Sequence, residues 1–271
     1  MSLSVRSLAS GSTANSVLIR SPQSIIAIDI GLSSTRFLEL LAQEQISTSQ
    51  LNAICLTHEH GDHIRGAVII AEQLQIPLVC NAATFAALRL PHLPWIDLPT
   101  GGSLQLGDCL ITSFAVSHDA ADPVGYRLEH PQGCVALATD LGEWTPELCR
   151  QLAPADLLII EANHQPDRLR WCGYSRVLQQ RILGQRGHLA NEQTAALLLA
   201  LHHLDPRART VWLAHLSQRS NTPALALTSV LSALETAAVR SMQVSVAPRS
   251  QPGPHWRYQP ATQLAFWDEA G

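Results

Sequence analysis

The sequence predicts an α/β (α+β) protein with the architecture of a four-layer αββα sandwich. Short apolar runs such as residues 157–160 are typical of strands that are buried on both faces. Helical patterns alternate with these strands twice along the 271 residues, so helices can cover both outer sheet faces. No linker-like stretch divides the chain. We therefore expect one domain over residues 1–248 and a partly ordered, Pro- and Gln-rich tail over residues 249–271.

The first half of the chain is predicted to form one sheet and its covering helices. Apolar runs bounded by turn residues indicate strands, and apolar residues at helical spacing indicate the helices between them. A polar turn at residues 10–15 joins the first two strands, and the Pro-rich residues 91–99 are predicted to be a loop. Strands are expected at residues 5–8, 16–19, 24–29, 51–56 and 76–80, with two more between 103 and 116, and helices from about residue 34, at 67–74 and at 81–88.

The second half repeats this alternation of strands and helices. Asn191 is a predicted N-cap of a long helix, because its short polar side chain can accept from a free backbone N–H. Five arginines within residues 168–186 indicate either a solvated helix face or a track for phosphates, and both interpretations stay open. Strands are expected at residues 124–128, 134–138, 157–160, 211–214 and 244–247, and helices at 145–152, up to about 183, at 192–204 and at 224–239.

Composition restricts the class of protein. Hydrophobic residues make up 46% of the chain, which is ordinary for a globular protein and excludes a disordered one. The formal net charge is −4 and all 18 basic residues are arginine, which disfavours broad, sequence-independent gripping of nucleic acid. The apolar runs are too short to cross a bilayer, the N-terminus lacks a signal-peptide pattern, and the six scattered cysteines are predicted to be free thiols. We therefore expect a cytoplasmic protein without membrane association.

A dense group of metal-ligand residues follows the strand predicted at residues 51–56. Isolated histidines are usually surface or core residues, and His-rich tracts can be repetitive low-complexity segments. This tract is not repetitive, and it lies between an apolar strand and a helical pattern. Imidazole and carboxylate groups at this density therefore predict a site for a transition metal. The four ligand candidates in this loop are His58, His60, Asp62 and His63.

Three further candidates each follow an apolar strand. His118, Asp140 and His215 would singly be ordinary turn residues. Because ligands at several strand ends can meet at one edge of a fold, we expect them to join the dense loop. The combined set has five histidines and two aspartates, which is enough for two ions that share a bridging carboxylate. Asp29 also ends a buried strand, where it could accept a hydrogen bond from a ligating histidine.

The pattern H-x-H-x-D-H, followed by a later His, Asp and His at strand ends, resembles the metallo-β-lactamase superfamily over nearly the whole chain. The resemblance implies an αββα fold with two divalent ions at one edge, and Zn²⁺ is the first expectation, with Mn²⁺ or Fe²⁺ as alternatives. It assigns the first ion to His58, His60 and His118, the second to Asp62, His63 and His215, and the bridge between them to Asp140.

Several branches of the superfamily fit poorly. His60 stands where flavodiiron oxidoreductases carry Glu, and Asp140 stands where zinc β-lactamases tend to carry Cys. The interval from Asp140 to His215 leaves no room for the inserted domain of the β-CASP nucleases. Phosphodiesterases of the RNase Z and PhnP kind and lactone or thioester hydrolases remain. The sequence is most similar to the YycJ/WalJ group of DNA exonucleases, in the segments Ser10-Gly11-Ser12 with Asn15, His118-Asp119-Ala120, Glu161-Ala162-Asn163-His164, residues 187–192 and residues 214–217.

We therefore predict a metal-dependent phosphodiesterase, specifically a DNA exonuclease with nucleic acid as its partner. A hydroxide shared by the two ions would attack phosphorus, and Asp62 could orient it. His188 is the candidate proton donor to the leaving oxygen, since it lies outside the ligand set and precedes a helix; a turn histidine bonded to backbone is the alternative. The candidate phosphate or sugar contacts, which could equally make turn and cap hydrogen bonds, are Ser12, Asn15, Asn163 and His164.

Two other functions remain open on this evidence. The first is a hydrolase of small lactones, thioesters or cyclic phosphates at the same two-metal site, which the negative net charge favours. The second is a metal-binding protein without catalysis, which the complete ligand set and the candidate acid disfavour. The preference for DNA or RNA, the direction of digestion and the existence of a homo-oligomer do not follow from the sequence.

Overall fold

Two seven-stranded β-sheets pack face to face at the centre of the structure, a computed structural model that describes residues 2–258. Helices cover the outer face of each sheet, so the predicted four-layer αββα architecture is confirmed. The strands are β1 (Ser4–Ala9), β2 (Ser16–Arg20), β3 (Ile25–Ile28), β4 (Ala53–Cys55), β5 (Leu78–Cys80), β6 (Trp95–Asp97), β7 (Ser103–Leu106), β8 (Cys109–Ala115), β9 (Val124–His130), β10 (Gly133–Ala138), β11 (Leu157–Glu161), β12 (Arg209–Ala214), β13 (Met242–Val246) and β14 (His255–Arg257).

The helices lie between the strands, as the sequence predicts, and a short 3₁₀ helix covers Thr48–Gln50. Their starts follow capping residues: Ser33, for example, accepts from the backbone N–H of Arg36. None of the helices within residues 2–258 has the length and hydropathy of a membrane-spanning segment. They are α1 (Ser34–Gln43), α2 (Gly61–Ile64), α3 (Ala67–Leu74), α4 (Ala82–Leu88), α5 (Pro146–Leu152), α6 (Pro166–Trp171), α7 (Arg176–Leu183), α8 (Asn191–Leu204) and α9 (Pro223–Thr236).

Each sheet has four parallel strands, and antiparallel strands complete it. The order is β14-β1-β2-β3-β4-β5-β6 in the first sheet and β13-β12-β11-β10-β9-β8-β7 in the second. Strands β3 to β6 are parallel in the first sheet, and β10 to β13 are parallel in the second. The carboxyl ends of parallel strands lie at the same edge of a sheet, which is where open α/β sheets place their ligand sites. This arrangement gives each sheet a row of strand ends that can hold functional side chains.

The apolar strands are buried on both faces, which explains their continuous hydrophobic runs. In β11, Leu157 and Ile159 pack between the two sheets, whereas Leu158 and Ile160 pack under the outer helices. This alternation follows from the two-residue repeat of a strand. All six cysteines are free thiols, as predicted, and five of them are buried.

Two local predictions are wrong. The Pro-rich residues 91–99 contain a strand, because β6 pairs in parallel with β5 and the carbonyl of Pro94 accepts from the N–H of Leu78. Asn191 is the first residue of α8 and not its N-cap, which is Ala190. The side chain of Asn191 is fully buried and donates to Asn221, while the Gln193 side chain accepts from the N–H of Ala190.

The predicted tail contributes to the first sheet. Strand β14 lies beyond residue 248 and pairs with β1 in antiparallel register, with Val5 opposite Trp256. Residues 259–271 of the predicted tail lie outside the described residues. Strand β1 thus has a partner on each side within the described part of the chain.

Candidate active site

The predicted metal ligands meet at one edge of the sandwich, where strand ends of both sheets approach each other. The dense loop follows β4 and continues into α2, while the other ligands follow β8, β10 and β12. Within each group below, one potential ligand atom per residue lies within 4.8 Å of the others. The four groups are His58, His60 and His118; Asp62, His63 and His215; His58, His63 and Asp140; and Asp140, Glu161, His188 and His215.

Asp140 lies between the ligand groups. Its Oδ2 is 3.2 Å from Nε2 of His63, and its Oδ1 is 3.6 Å from Nε2 of His118. The same Oδ1 is 3.5 Å from Nδ1 of His215. A carboxylate close to residues of the first two groups has the position that a bridging ligand requires.

The site contains buried polar atoms that hydrogen bonding does not satisfy. Within residues 2–258, Nε2 of His58, Nε2 of His215 and Oδ2 of Asp140 have no hydrogen-bond partner. An unsatisfied buried polar atom costs about 1–3 kcal/mol, so such atoms usually serve a bound ion, a water or a reaction. These residues are good ligands for divalent transition metals, and the site therefore fits a metal ion.

The carboxylates and two histidines of the site shift each other's pKa. Burial alone would lower the pKa of His63, but Asp29 and Asp140 raise it to about 10. Burial likewise opposes protonation of His215, and Asp140 outweighs it and raises the pKa well above its usual value. Burial would raise the pKa of Asp140, whereas His215 and His63 hold it well below its usual value. The carboxylates therefore attract positive charge into the site, and divalent ions can replace these protons.

The remaining shifts favour neutral imidazoles in the first group. Burial and the neighbouring His63 lower the pKa of His58 well below its usual value, and burial also lowers that of His118. A neutral imidazole is the form that binds a metal ion. Burial thus favours the metal-binding form of His58 and His118.

Hydrogen bonds fix which ring nitrogens face the ligand cluster. Nδ1 of His63 lies 2.8 Å from Oδ2 of Asp29, as the position of this aspartate predicts. Nδ1 of His58 lies 3.0 Å from Oγ1 of Thr57, and Nδ1 of His118 lies 3.2 Å from the carbonyl oxygen of Gly187. Each contact leaves Nε2 for an ion, and partners of this kind set ring orientation and ligand basicity.

The contact between Asp29 and His63 leads to the first prediction. Asp29→Asn should lower metal affinity or activity by about 10- to 100-fold, because the amide is a weaker acceptor for the ring N–H. Metal affinity is measured by titration with a competing chelator. Asp97→Asn, which changes an exposed carboxylate at the end of β6, is the control and should have no effect. Equal affinities for Asp29→Asn and the wild type would show that Asp29 does not orient His63.

Three residues of the site adopt left-handed backbone conformations. The φ angles are 55° at Asp29, 58° at Asp140 and 54° at His215. Such angles are uncommon for residues other than glycine and cost of order 1–3 kcal/mol each unless the surroundings hold them. Each of the three follows a strand, so the turn directs its side chain to the shared edge. Backbone strain at these three residues indicates that the fold holds their side chains in place for a function.

Close backbone approach fixes the dense loop against the turn after β3. The N–H of Gly31 donates to the carbonyl of Asn15, whose own N–H donates to the carbonyl of Asp62. A Cβ atom at residue 31 would lie 1.6 Å from the backbone oxygen of Asp62. Glycine is therefore required at position 31.

Gly31→Ala should displace the loop and lower metal affinity, with a loss of about 1–3 kcal/mol in stability, as overpacking generally costs. Thermal unfolding and metal content report the two effects. Gly61→Ala is the matched control in the same loop, because a Cβ there meets nothing within 4 Å. If Gly31→Ala bound metal as Gly61→Ala does, the loop would have to be more pliable than its hydrogen bonds indicate.

Glu161 belongs to the site, although the sequence analysis gave it no role. Its Oε1 lies 2.8 Å from Nδ1 of both His188 and His215. Its Oε2 accepts from the N–H groups of Leu141 and Leu189. Burial would raise the pKa of Glu161, but His188 and the hydrogen bonds lower it to about 2. The available signal was that Glu161 ends β11, an apolar strand, as the other site residues do.

His188 lies beside the predicted ligands. Burial opposes its protonation, but the Glu161 carboxylate outweighs this and raises the pKa of His188. Its Nδ1 is also 3.7 Å from Oδ1 of Asp140. Since Nδ1 faces Glu161, Nε2 is the ring nitrogen that remains for a substrate.

A cleft of about 230 Å³ opens over the site. Of the predicted substrate contacts, Ser12 and Asn163 line it, and so does His188. Asn15 and His164 are buried and do not line it. The Asn15 side chain accepts from the N–H of Gly11 and lies 3.0 Å from Nε2 of His63. The substrate contacts of Asn15 and His164 stay predictions.

Comparisons with known proteins agree with this fold. The family model described as beta-lactamase superfamily domain matches residues 26–216. Exodeoxyribonuclease WalJ of Streptococcus pneumoniae serotype 2 (strain D39 / NCTC 7466) is 35% identical over 237 residues, which are 85% of this chain and 87% of WalJ. Exodeoxyribonuclease YycJ of Bacillus anthracis is 31% identical over 240 residues, which are 87% of this chain and 90% of YycJ.

A solved structure supports the fold. The metallo-beta-lactamase fold protein YhfI from Bacillus subtilis matches with a TM-score of 0.71 and 19% identity, covering 94% of this chain and 99% of YhfI. At this identity the likeness concerns the fold alone. The family prediction from the sequence is confirmed by the sequence matches. The chain belongs to the metallo-β-lactamase superfamily, as a hydrolase similar to WalJ and YycJ.

Proposed function

We propose that this protein is a metal-dependent DNA exonuclease that hydrolyses phosphodiester bonds. One observation carries the proposal: a complete seven-residue ligand set opens to a cleft in a chain that matches two exodeoxyribonucleases over at least 85% of its length. The two relatives indicate DNA as the substrate, and the ligand set indicates that metal ions promote the hydrolysis.

We infer that the ligand set holds two divalent ions, with Zn²⁺ as the first candidate and Mn²⁺ or Fe²⁺ as alternatives. When bound, such ions polarise a phosphoryl oxygen and lower the pKa of water. The proximity of the ligand atoms and the unsatisfied buried atoms support this assignment. The first ion is assigned to His58, His60 and His118, the second to Asp62, His63 and His215, and the bridge to Asp140.

The other residues of the cleft handle the proton and the substrate. Burial opposes protonation of His188, but Glu161 outweighs it and raises the pKa of His188, which favours the form that can donate from Nε2 to the leaving oxygen. Ser12 is exposed and lines the cleft, where its hydroxyl can donate to a phosphate oxygen. Asn163 lines the same cleft, but its Nδ2 donates to the carbonyl of His215. Asn163 therefore supports the His215 turn as well as offering a substrate contact.

The formal net charge of −4 favours one alternative function. A small lactone, thioester or cyclic phosphate would not need the basic surface that binding of nucleic acid requires. Such a hydrolase would use the same ligand set without contacting nucleic acid.

One experiment separates these functions. The metal-loaded protein is incubated with 5′- and 3′-labelled single- and double-stranded DNA and RNA, and with bis(p-nitrophenyl) phosphate, a lactone and a thioester. The proposal expects stepwise shortening of DNA from one end, and metal analysis of the same sample gives the identity of the ions. Internal cuts without shortening would refute the exonuclease. Turnover of the lactone or thioester alone would favour the alternative.

We also infer that the protein works in the cytoplasm. Free thiols are typical of reducing compartments, and all six cysteines are unpaired. Fractionation of cells that express the tagged protein tests this location. Recovery from a secreted fraction would contradict it.

A further inference from the structure

The cleft has a second wall that takes no part in metal binding. Tyr174, Leu178 and Ile182 line this wall together with Arg181, in the same cleft as the predicted ligands and His188. Leu178 and Ile182 are four residues apart on α7 and share one face of the helix, while Tyr174 lies two residues before its start. The wall, defined here as the α7 wall, is apolar and aromatic next to a strongly charged site.

The α7 wall is fixed relative to the ligands. The Ser175 side chain caps α7 by accepting from the N–H of Leu178, and the Gln179 side chain donates to the carbonyl of Tyr174. Nε of Arg181 lies 2.5 Å from Oδ2 of Asp119, the residue that follows the ligand His118. Nε of Arg186 donates to the carbonyl of His118 itself. The wall is therefore tied to the same loop that supplies a ligand.

Tyr174 has the features of a stacking platform. Its side chain is half-buried, and the guanidinium of Arg219 lies 5.4 Å from the centroid of its ring. A cation over an aromatic ring is an attractive arrangement, and it brings positive charge beside a flat apolar surface. Aromatic rings near arginine are the groups on which proteins stack the bases of single strands. Hydrolysis at phosphorus does not itself require such a wall.

We propose that the α7 wall binds the nucleoside at the end of a DNA strand, with Tyr174 stacking on the terminal base; this rests on the proposed function. The wall and the predicted ligands line the same cleft of about 230 Å³, so a nucleoside held by the wall would lie next to the phosphate at the ligands. The contact between Arg181 and Asp119 joins the wall to the loop that follows β8. Stacking on Tyr174 requires a base with a free face, so the occupant is the unpaired end of a strand.

The test compares two oligonucleotides that differ only in the terminal nucleotide, which is thymidine in one and an abasic nucleotide in the other. The pair is made for both the 5′ and the 3′ end, and kcat and KM are measured for release of the first nucleotide. Wild type should favour the thymidine end by about 5- to 150-fold in kcat/KM, the range that base stacking provides. Tyr174→Ala should lose this preference by acting more slowly on thymidine only, whereas Tyr174→Phe should keep it.

Val177→Ala is the matched control, since Val177 is on α7 but is exposed to 77% and does not line the cleft. It should behave as wild type with both ends. If Tyr174→Ala fails to fold, Leu178→Ala tests the same wall. Equal rates on thymidine and abasic ends in wild type, or an equal loss on both ends in Tyr174→Ala, would overturn the subsite.

A base-free substrate separates this outcome from a failure of the proposed function. Methyl p-nitrophenyl phosphate, which has no base, should be hydrolysed by wild type and equally by the control Val177→Ala. If DNA is digested but the terminal base has no effect, only the subsite is refuted. If no oligonucleotide is digested by the metal-loaded protein, the proposed function and the subsite are both refuted.

Discussion

Asp140→Asn is expected to remove at least one of the two ions and to lower phosphodiesterase activity by roughly 10³-fold, because Lewis-acid catalysis contributes several kcal/mol. Asp140 is buried and has one oxygen near His63 and the other near His118 and His215. Asparagine keeps the size of the side chain but removes the charge that two ions would share. Metal content after dialysis and initial rates on DNA measure the effect.

A thermal readout makes the Asp140 result independent of activity. An ion at 100 times its Kd stabilises the folded protein by about 2.7 kcal/mol, so wild type should melt at a higher temperature with metal than with chelator. Asp140→Asn should lose most of this difference. Asp167→Asn, an exposed carboxylate on α6, is the control and should keep both the ions and the difference. Two bound ions and wild-type rates in Asp140→Asn would exclude a bridging role.

His188→Ala is expected to keep both ions and to lose about 10²- to 10⁴-fold in rate on DNA, which is the usual contribution of a general acid. The loss should be much smaller with p-nitrophenyl esters, because that leaving group departs without a proton. His188 can serve as the acid because Glu161 holds its Nδ1 and leaves Nε2 for the substrate. Rates on both substrates and metal content measure the effect.

The His188 variant also separates two roles that the geometry permits. Asp140, Glu161, His188 and His215 form a group that could itself hold an ion. If His188 is a ligand, His188→Ala loses metal and slows both substrates equally. His92→Ala changes an exposed histidine away from the cleft and should have no effect in either case. An unchanged rate on DNA would remove His188 from the mechanism.

The ligand candidates could be proposed from the sequence because each one is a metal-binding residue type at, or in the loop directly after, the end of an apolar strand. This signal is local, and the parallel strands bring the ends together. Glu161 has the same position, but its role depends on contacts with His188 and His215, which are 27 and 54 residues away. No local sequence pattern indicates contacts between residues so far apart in the chain. The role of Glu161 therefore could not be predicted from the sequence.

The errors in the fold have similar causes. Strand β6 forms because it can pair with the backbone of β5. This pairing outweighs the tendency of the local prolines to form a loop. Asn191 begins α8 instead of capping it, because its side chain is buried and donates to Asn221. Which strands pair with each other and which residues become buried depend on the whole fold. Whether a segment forms a strand or a helix follows more from its local sequence pattern.

The predicted metal ligands follow strands of two separate sheets. The dense loop follows β4 in the first sheet, and His118, Asp140 and His215 follow strands of the second. Bound ions would therefore cross-link the sheets at one edge, while apolar contacts such as Ile26 and Trp212 hold them together further in. Chelation should then loosen this edge without separating the sheets, and amide hydrogen exchange should rise together in the turns after β4, β10 and β12. Metal binding would thus determine how tightly the two sheets are held together at this edge.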